Sequence, residues 1–286
     1  MCSNILIVGL GEVGRALYNM ITKSNTNFNV YGYDTDKSKS IDRIEDIPTP
    51  IDYLHIAFPY TERQSFIESV SVYANRLKPR LLIIHSTVAP GTTRLLQSKL
   101  DTLVAYSPVR GRHPHLEEHL KFWVKWISAV KPEALDEGVK HLEDLGFRVR
   151  CCERPETLEL AKLFETIYRA ALIALWQEMH RIAVKLGGDV TGIAEFIAEV
   201  HEVLGDRPVY YPDFIGGHCL IPNTMILLES VDSPMLRFIL ESNRLRKTEL
   251  RDPRIVEEID SVKRIWSRLR NAWYYEGYDK KILPSG

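Results

Sequence analysis

The chain has 286 residues, of which 45% are apolar, so one large or two modest domains with ample core are expected. Its 37 Lys and Arg against 38 Asp and Glu give a formal net charge of −1, and no basic block stands out, which argues against a nucleic-acid partner. No apolar run reaches the roughly 18 residues of a membrane span, and the first strand starts too early to leave room for a signal peptide, so the cytosol is the expected compartment.

Asn4-Ile5-Leu6-Ile7-Val8 is an apolar run suited to a buried parallel strand. Gly9-Leu10-Gly11-Glu12-Val13-Gly14 follows, and then a helical pattern from Arg15 to Ile21. Strand, glycine turn and helix are the context of a dinucleotide fingerprint. The first glycine makes the turn, the second lets a pyrophosphate approach, and the third lets helix and strand pack. A second strand, Phe28 to Tyr33, ends at Asp34, 20 residues beyond Gly14. An acid there holds a ribose 2′-hydroxyl and disfavours a 2′-phosphate, which points to NAD rather than NADP.

Residues 35–50 are too few and too polar for an ordinary crossover helix. A third strand is expected at Ile51–Phe58, a helix at Thr61–Leu77, a fourth strand at Arg80–His85 and a fifth at Thr102–Tyr106. Trp126–Val130 and Phe147–Arg150 read as two more strands around a helix from Pro132 to Leu145. This alternation predicts an α/β fold with a Rossmann-type, doubly wound parallel sheet over residues 1–154.

From Glu156 to Leu186 there is neither proline nor glycine, and apolar residues recur at helical spacing. Between Ile167 and Trp176 they surround the helix, which predicts burial on several sides. Further helices are expected at about 190–203, 224–230, 234–248 and 253–275. The last carries a stripe of Ile255, Ile259, Val262, Trp266, Leu269 and Trp273, to be covered by this chain or by a partner. Residues 155–286 are therefore expected to form an all-helical substrate and dimerisation domain on one long central helix.

Cys2, Cys151, Cys152 and Cys219 show neither zinc spacing nor a disulfide framework. Cys151-Cys152 are expected to be buried at a strand end, and His113, His115 and His119 to lie in a solvated loop without a metal. Gly216-Gly217-His218-Cys219 is more pointed. Its glycines permit close approach of a ligand. Asn223 or Thr224 could cap a helix through Met225–Leu228, and a thiol just before a helix N-terminus feels a potential that favours thiolate.

Five segments in order resemble the UDP-glucose/GDP-mannose dehydrogenases. They are the fingerprint from Gly9, Ser86-Thr87-Val88-Ala89-Pro90-Gly91-Thr92, Ser107-Pro108, Glu159-Leu160-Ala161-Lys162-Leu163, and Gly216-Gly217-His218-Cys219. The resemblance covers residues 3–250. It implies NAD-dependent oxidation of a sugar C6 alcohol to a carboxylate, through a hemithioacetal and a thioester on a cysteine. It implies cofactor contacts from Gly9, Gly11, Glu12, Val13, Gly14, Asp34, Ser86 and Thr87. Thr87 would lie near the nicotinamide, Lys162 would stabilise a developing oxyanion, and Cys219 would be the nucleophile. Asn223 completes the implied catalytic set, and Lys162, Thr166, Gly216, Gly217 and His218 the substrate-binding set. The substrate would be a small, sugar-derived molecule, and the long helix would build a homodimer.

Three positions depart from the family pattern. Val109 stands where a water-activating glutamate is usual, Thr166 where an asparagine is usual, and Asn223 where an aspartate is usual. A C-terminal nucleotide-sugar-binding domain is also expected to be lacking. Two alternatives stay open: a two-electron hydroxyacid-type dehydrogenase that does not use Cys219, and a catalytically silent NAD-binding regulatory protein.

Overall fold

The computed structural model describes residues 3–23, 28–112 and 114–270. Cys2, His113 and Trp273 lie outside the described residues. The chain divides into two compact units, Met1–Phe164 and Glu165–Gly286.

The first unit runs β1 (Ser3–Val8), α1 (Glu12–Thr22), β2 (Phe28–Tyr33), β3 (Tyr53–Ile56), α2 (Arg63–Leu77), β4 (Leu81–Ile84), α3 (Thr92–Lys99), β5 (Leu103–Tyr106), α4 (Leu116–Phe122), β6 (Lys125–Ala129), α5 (Pro132–Asp144) and β7 (Val149–Cys151). The sheet order is β2-β1-β3-β4-β5-β6-β7. All neighbours are parallel except β5 and β6. This is a Rossmann-type α/β fold. Strands β3 and β4 are buried throughout, which is why they read as continuous apolar runs rather than as alternation. No helix lies between β2 and β3; Asp42 reaches back and accepts from the Gly32 N–H at 2.8 Å.

Several expectations need correction. Helices α3 and α4 were not legible, and β6 runs antiparallel to β5. His119 is not in a solvated loop. It is fully buried in α4, where its Nδ1 accepts from the Arg112 N–H at 2.8 Å. Cys151 is exposed and Cys152 half-buried, because β7 is the last strand of the sheet and has a neighbour on one side only.

Helix α6 (Pro155–Leu186) begins in the first unit and continues into the second. The second unit adds α7 (Val190–Leu204), α8 (Leu220–Leu228), α9 (Pro234–Glu249) and α10 (Pro253–Leu269). Ile259, Val262 and Ile265 of α10 are buried, and the last two pack with Trp176, Val190 and Ala194. The middle of the α10 stripe is thus covered by this chain itself. Arg246 of α9 is the largest fully buried side chain. It donates to the Gln177 carbonyl at 3.1 Å and lies 3.2 Å from the Glu249 carboxylate, so the charge is paired as burial demands. The helical fold is as expected, but α6 is not buried all round. Phe164, Tyr168, Leu175 and Ile182 follow one stripe and are each 44–67% exposed.

A polar seam crosses the core of the first unit. His55 of β3, His85 just after β4 and His141 of α5 are buried, as is Lys125 of β6. His55 Nδ1 lies 2.8 Å from His85 Nε2, and His55 Nε2 lies 2.9 Å from His141 Nε2. Burial disfavours the imidazolium of all three; it pushes His55 down to about 3, helped by Lys125, and holds His85 and His141 well below the usual histidine value. Below the ordinary histidine range the unfolded chain binds protons that these folded rings refuse. Stability should therefore fall as pH drops from about 6.5 toward 4, by roughly 1.4 kcal/mol per pH unit for each ring. Urea unfolding at a series of pH values measures the slope. His55→Phe should flatten it; an equal slope in that variant would show that the seam does not set acid stability.

Candidate active site

The candidate site residues fall into two clusters, one in each unit. In the first, β1 leads into Gly9, whose φ of 91° suits glycine. A Cβ on Gly9 would lie 2.5 Å from the Phe58 nitrogen, and one on Gly14 would lie 1.8 Å from the Gly9 oxygen. Both positions therefore close-pack strand, helix and the β3 end. Gly11 differs. It precedes α1 as its N-cap and has nothing within 4 Å of where a Cβ would be. That is open space at a helix N-terminus, where orphan N–H groups suit a pyrophosphate. Glu12 and Val13 form the first turn of α1.

Asp34 follows β2 directly. Its Oδ2 accepts from the Leu10 N–H at 2.6 Å and its Oδ1 from the Asp36 N–H at 2.8 Å. The carboxylate is thus fixed against the glycine turn. A carboxylate has about four acceptor sites, so each oxygen keeps one for a ribose hydroxyl. The glycine turn and Asp34 fit the dinucleotide expected from the sequence.

Ser86, Thr87, Val88 and Ala89 follow β4. Ser86 is buried and donates to the Phe58 carbonyl at 2.6 Å, and Val88 and Ala89 are fully buried. Thr87 alone of the four is half-exposed, so it is the one able to meet a ligand. Sequence reasoning missed what holds this segment. Glu159 of α6 is fully buried, and its carboxylate accepts from the Gly91 N–H at 2.6 Å, the Thr93 N–H at 2.9 Å and the Thr93 hydroxyl at 2.7 Å. It caps α3 from a distance of 66–68 residues in sequence, while the α3 N-cap, Gly91, offers no side chain. Lys162 lies three residues further along α6 and is half-buried. Burial raises the Glu159 pKa against these hydrogen bonds, which lower it. Arg94 and Glu156 add an ion pair of 2.6 Å at the same helix start.

Ser107 and Pro108 follow β5. The Lys125 ammonium nitrogen lies 2.7 Å from the Ser107 carbonyl and 2.9 Å from that of Pro108. Val109 is buried in the apolar core. Lys125 had no signal in the sequence, because a single lysine in a short strand reads as a solvated residue.

The second cluster surrounds α8. The helix begins at Leu220, four residues earlier than a cap at Asn223 requires, and Cys219 is itself the N-cap. Asn223 is instead inside the helix, where its N–H closes the first turn on the Cys219 carbonyl at 2.9 Å. Cys219, Gly216, Gly217 and His218 are all exposed, and Gly217 has a φ of 79°. The thiol therefore stands at the positive end of a helix dipole, open to a ligand. Asn223 donates through Nδ2 to the Thr166 hydroxyl oxygen at 2.8 Å. Two of the three departures from the family pattern are thus hydrogen-bonded to each other. Among the described residues no group of three or more His, Cys, Asp or Glu could hold a metal ion, and no helix is long and apolar enough to cross a membrane.

Residues 156–244 match the UDP-glucose/GDP-mannose dehydrogenase family, central domain. The UDP-N-acetyl-D-mannosamine dehydrogenase of Pyrococcus horikoshii is 26% identical over 277 residues, covering 79% of this chain. The chain spans 64% of that relative's length. A solved structure of UDP-N-acetyl-D-mannosamine dehydrogenase from the same organism superposes with a TM-score of 0.71 at 23% identity, over 84% of this chain and 68% of the other. The Mycobacterium tuberculosis 3-hydroxyisobutyrate dehydrogenase shares the fold at a TM-score of 0.63 and 15% identity, covering 95% of this chain and all of the other.

Glu159→Ala would strand the buried Gly91 and Thr93 donors. It should lower stability by about 3 kcal/mol. Urea denaturation checks this. A loss below about 1 kcal/mol would give the clamp no more weight than an exposed helix cap.

Proposed function

We propose that this chain is an NAD-dependent oxidoreductase acting on a CH–OH or aldehyde group of a small, sugar-derived substrate. The observation that carries the reading is the fixed Asp34 carboxylate beside a glycine turn that is closed at Gly9 and Gly14 and open at Gly11. The central-domain match and the dehydrogenase names of the relatives support the class of reaction.

In this reading the backbone of Gly11, Glu12, Val13 and Gly14 takes the pyrophosphate, Asp34 the adenosine ribose, and Ser86 and Thr87 the segment beside the nicotinamide. NAD supplies the hydride acceptor when bound. Lys162 stabilises negative charge on the substrate oxygen. Cys219 adds to the aldehyde carbon, and Gly216, Gly217 and His218 leave its approach open. Asn223 and Thr166 orient the first turn of α8 through their mutual hydrogen bond. A homodimer through the exposed apolar stripe of α6 completes the proposal, and light scattering at micromolar concentration tests it.

A second reading, a two-electron hydroxyacid-type dehydrogenase, is favoured by one observation. The fold is coextensive with that of a 3-hydroxyisobutyrate dehydrogenase. That chemistry does not need Cys219.

The first of two measurements tests the NAD site that both readings share, and an adduct on Cys219 in the second distinguishes the first reading. Calorimetry should show NAD binding at least tenfold tighter than NADP, a difference of about 1.4 kcal/mol, because Asp34 repels a 2′-phosphate. Equal affinities would remove Asp34 from the ribose site. Turnover should give one NADH per substrate, or a burst that stalls as an acyl adduct on Cys219. Val109 can neither take a proton nor orient the water that hydrolysis of a thioester requires. Intact mass during turnover detects the adduct. Two NADH per substrate at steady state, with no adduct, would show that the valine is no obstacle.

A further inference from the structure

We propose that Lys125, His85, His55 and His141 form a proton relay with two hydrogen-bond orders, one for each protonation state of Lys125, and that Lys125 exchanges its proton through His141 Nδ1. Three contacts make the path continuous. Lys125 Nζ lies 3.2 Å from His85 Nδ1, His85 Nε2 lies 2.8 Å from His55 Nδ1, and His55 Nε2 lies 2.9 Å from His141 Nε2. The Ser107 carbonyl oxygen joins the first pair, 2.7 Å from His85 Nδ1 and 2.7 Å from Lys125 Nζ. His141 Nδ1 is buried and has no hydrogen-bond partner.

Donor counting gives the two orders. A neutral lysine has two N–H bonds and one lone pair. Its two hydrogens go to the Ser107 and Pro108 carbonyls. His85 Nδ1–H then donates toward Ser107 and the lysine lone pair, so His85 Nε2 accepts from His55 Nδ1–H. In turn His55 Nε2 accepts from His141 Nε2–H, and His141 Nδ1 presents a lone pair. A charged lysine has three hydrogens, for Ser107, Pro108 and His85 Nδ1. Every imidazole hydrogen must then sit on the opposite nitrogen, and His141 Nδ1 carries a hydrogen. In the charged-lysine order His85 Nδ1 gives up its hydrogen bond to the Ser107 carbonyl, 2.7 Å away, and accepts from the ammonium instead, whereas a charged lysine beside the other order would set two N–H groups against each other at His85 Nδ1. The rings stay neutral in both orders, as their burial requires.

Passage between the orders balances. A proton binds His141 Nδ1. His141 Nε2–H moves to His55 Nε2, His55 Nδ1–H moves to His85 Nε2, and His85 Nδ1–H moves to the Lys125 lone pair. One proton enters, one N–H forms at each nitrogen that receives, and one breaks at each that gives. Release is the reverse.

Charged groups bear on the two ends. Burial and then the charges of Lys162 and Arg110 push the Lys125 ammonium well below the ordinary lysine value. The other end faces Tyr53, stacked on His141 at 3.6 Å, and Arg80; Tyr53 donates to Glu137 at 2.6 Å. Lys125 also holds the two carbonyls just before Val109. That places a store for the proton released with each hydride beside a position where the resembling family has a carboxylate. This use rests on the dehydrogenase reading; the relay does not.

The test follows the imidazole nitrogens of the full ¹⁵N-histidine-labelled chain by NMR from about pH 6 to about pH 11, a range chosen to lie above ordinary histidine titration. Pyrrole-type and pyridine-type signals of His55, His85 and His141 should exchange places together at one midpoint. In Lys125→Met the three rings should hold the neutral-lysine order throughout. In His141→Phe the Lys125 Nζ protons should exchange with water at least tenfold more slowly. Rings that keep one order at every pH in the wild type, or that titrate one by one to imidazolium, would overturn the relay. An unchanged Lys125 exchange rate in His141→Phe would overturn the port. The wild-type titration needs neither variant to fold. No cofactor or substrate is present, so loss of the dehydrogenase reading leaves the result standing, and loss of the relay leaves that reading untouched.

Discussion

The Glu159 carboxylate is the interaction on which the arrangement of the first unit turns. It is taken wholly out of water, and it has three donors waiting for it, one at the end of the loop that leaves β4 and two in the first turn of α3. A buried carboxylate without partners costs several kcal/mol, so the loop and the helix are mutually obligatory. The loop contains Thr87, and the helix carries Lys162 one turn on. Two side chains far apart in sequence are therefore referred to one rigid point. The same carboxylate supplies the cap that α3 lacks, so a short helix with a glycine at its N-cap is stable only once α6 is present.

This long-range capping explains which parts of the fold were legible. β1, α1 and β2 announce themselves because strand, glycine turn and helix are consecutive and each glycine has a separate steric reason. The buried strands β3 and β4 show as unbroken apolar runs. Helix α3 does not, since what stabilises it lies on another element. His119 and Cys151 were misjudged for related reasons. A histidine near two others looks solvated until α4 buries it against the turn at Arg112, and a cysteine at a strand end looks buried until that strand proves to be the edge.

The candidate site shows the same division. Asp34, Thr87 and Cys219 were legible as candidates because the residue type, its position at an element end and its neighbours agreed. The buried seam was not. His55, His85, Lys125 and His141 come from three strands or strand ends and one helix, and each alone is an unremarkable residue in its segment. Only parallel pairing of β3 with β4, and the packing of α5 over them, brings the nitrogens within hydrogen-bond reach. Such a seam is expensive to keep in a core that apolar side chains could fill. A connected path that ends in one buried nitrogen without a hydrogen-bond partner is the pattern expected of groups that exchange protons, not of groups that merely fill space.

The pair formed by Thr166 and Asn223 bears on what the thiol can do. Taken one at a time, each looks like the loss of a family residue. Together they make one hydrogen bond, with Asn223 donating and Thr166 accepting, inside the second unit. Neither group titrates, so the bond holds at any pH at which the unit is folded. The first turn of α8 also contains no acidic residue. A carboxylate at position 223, near the positive end of the helix, would offset the potential there and disfavour a second negative charge on the sulfur one turn earlier. With asparagine there, that local opposition is gone while the orientation of the turn is preserved. Under the proposed reading, this arrangement favours a covalent adduct on Cys219 and does nothing to hasten its hydrolysis.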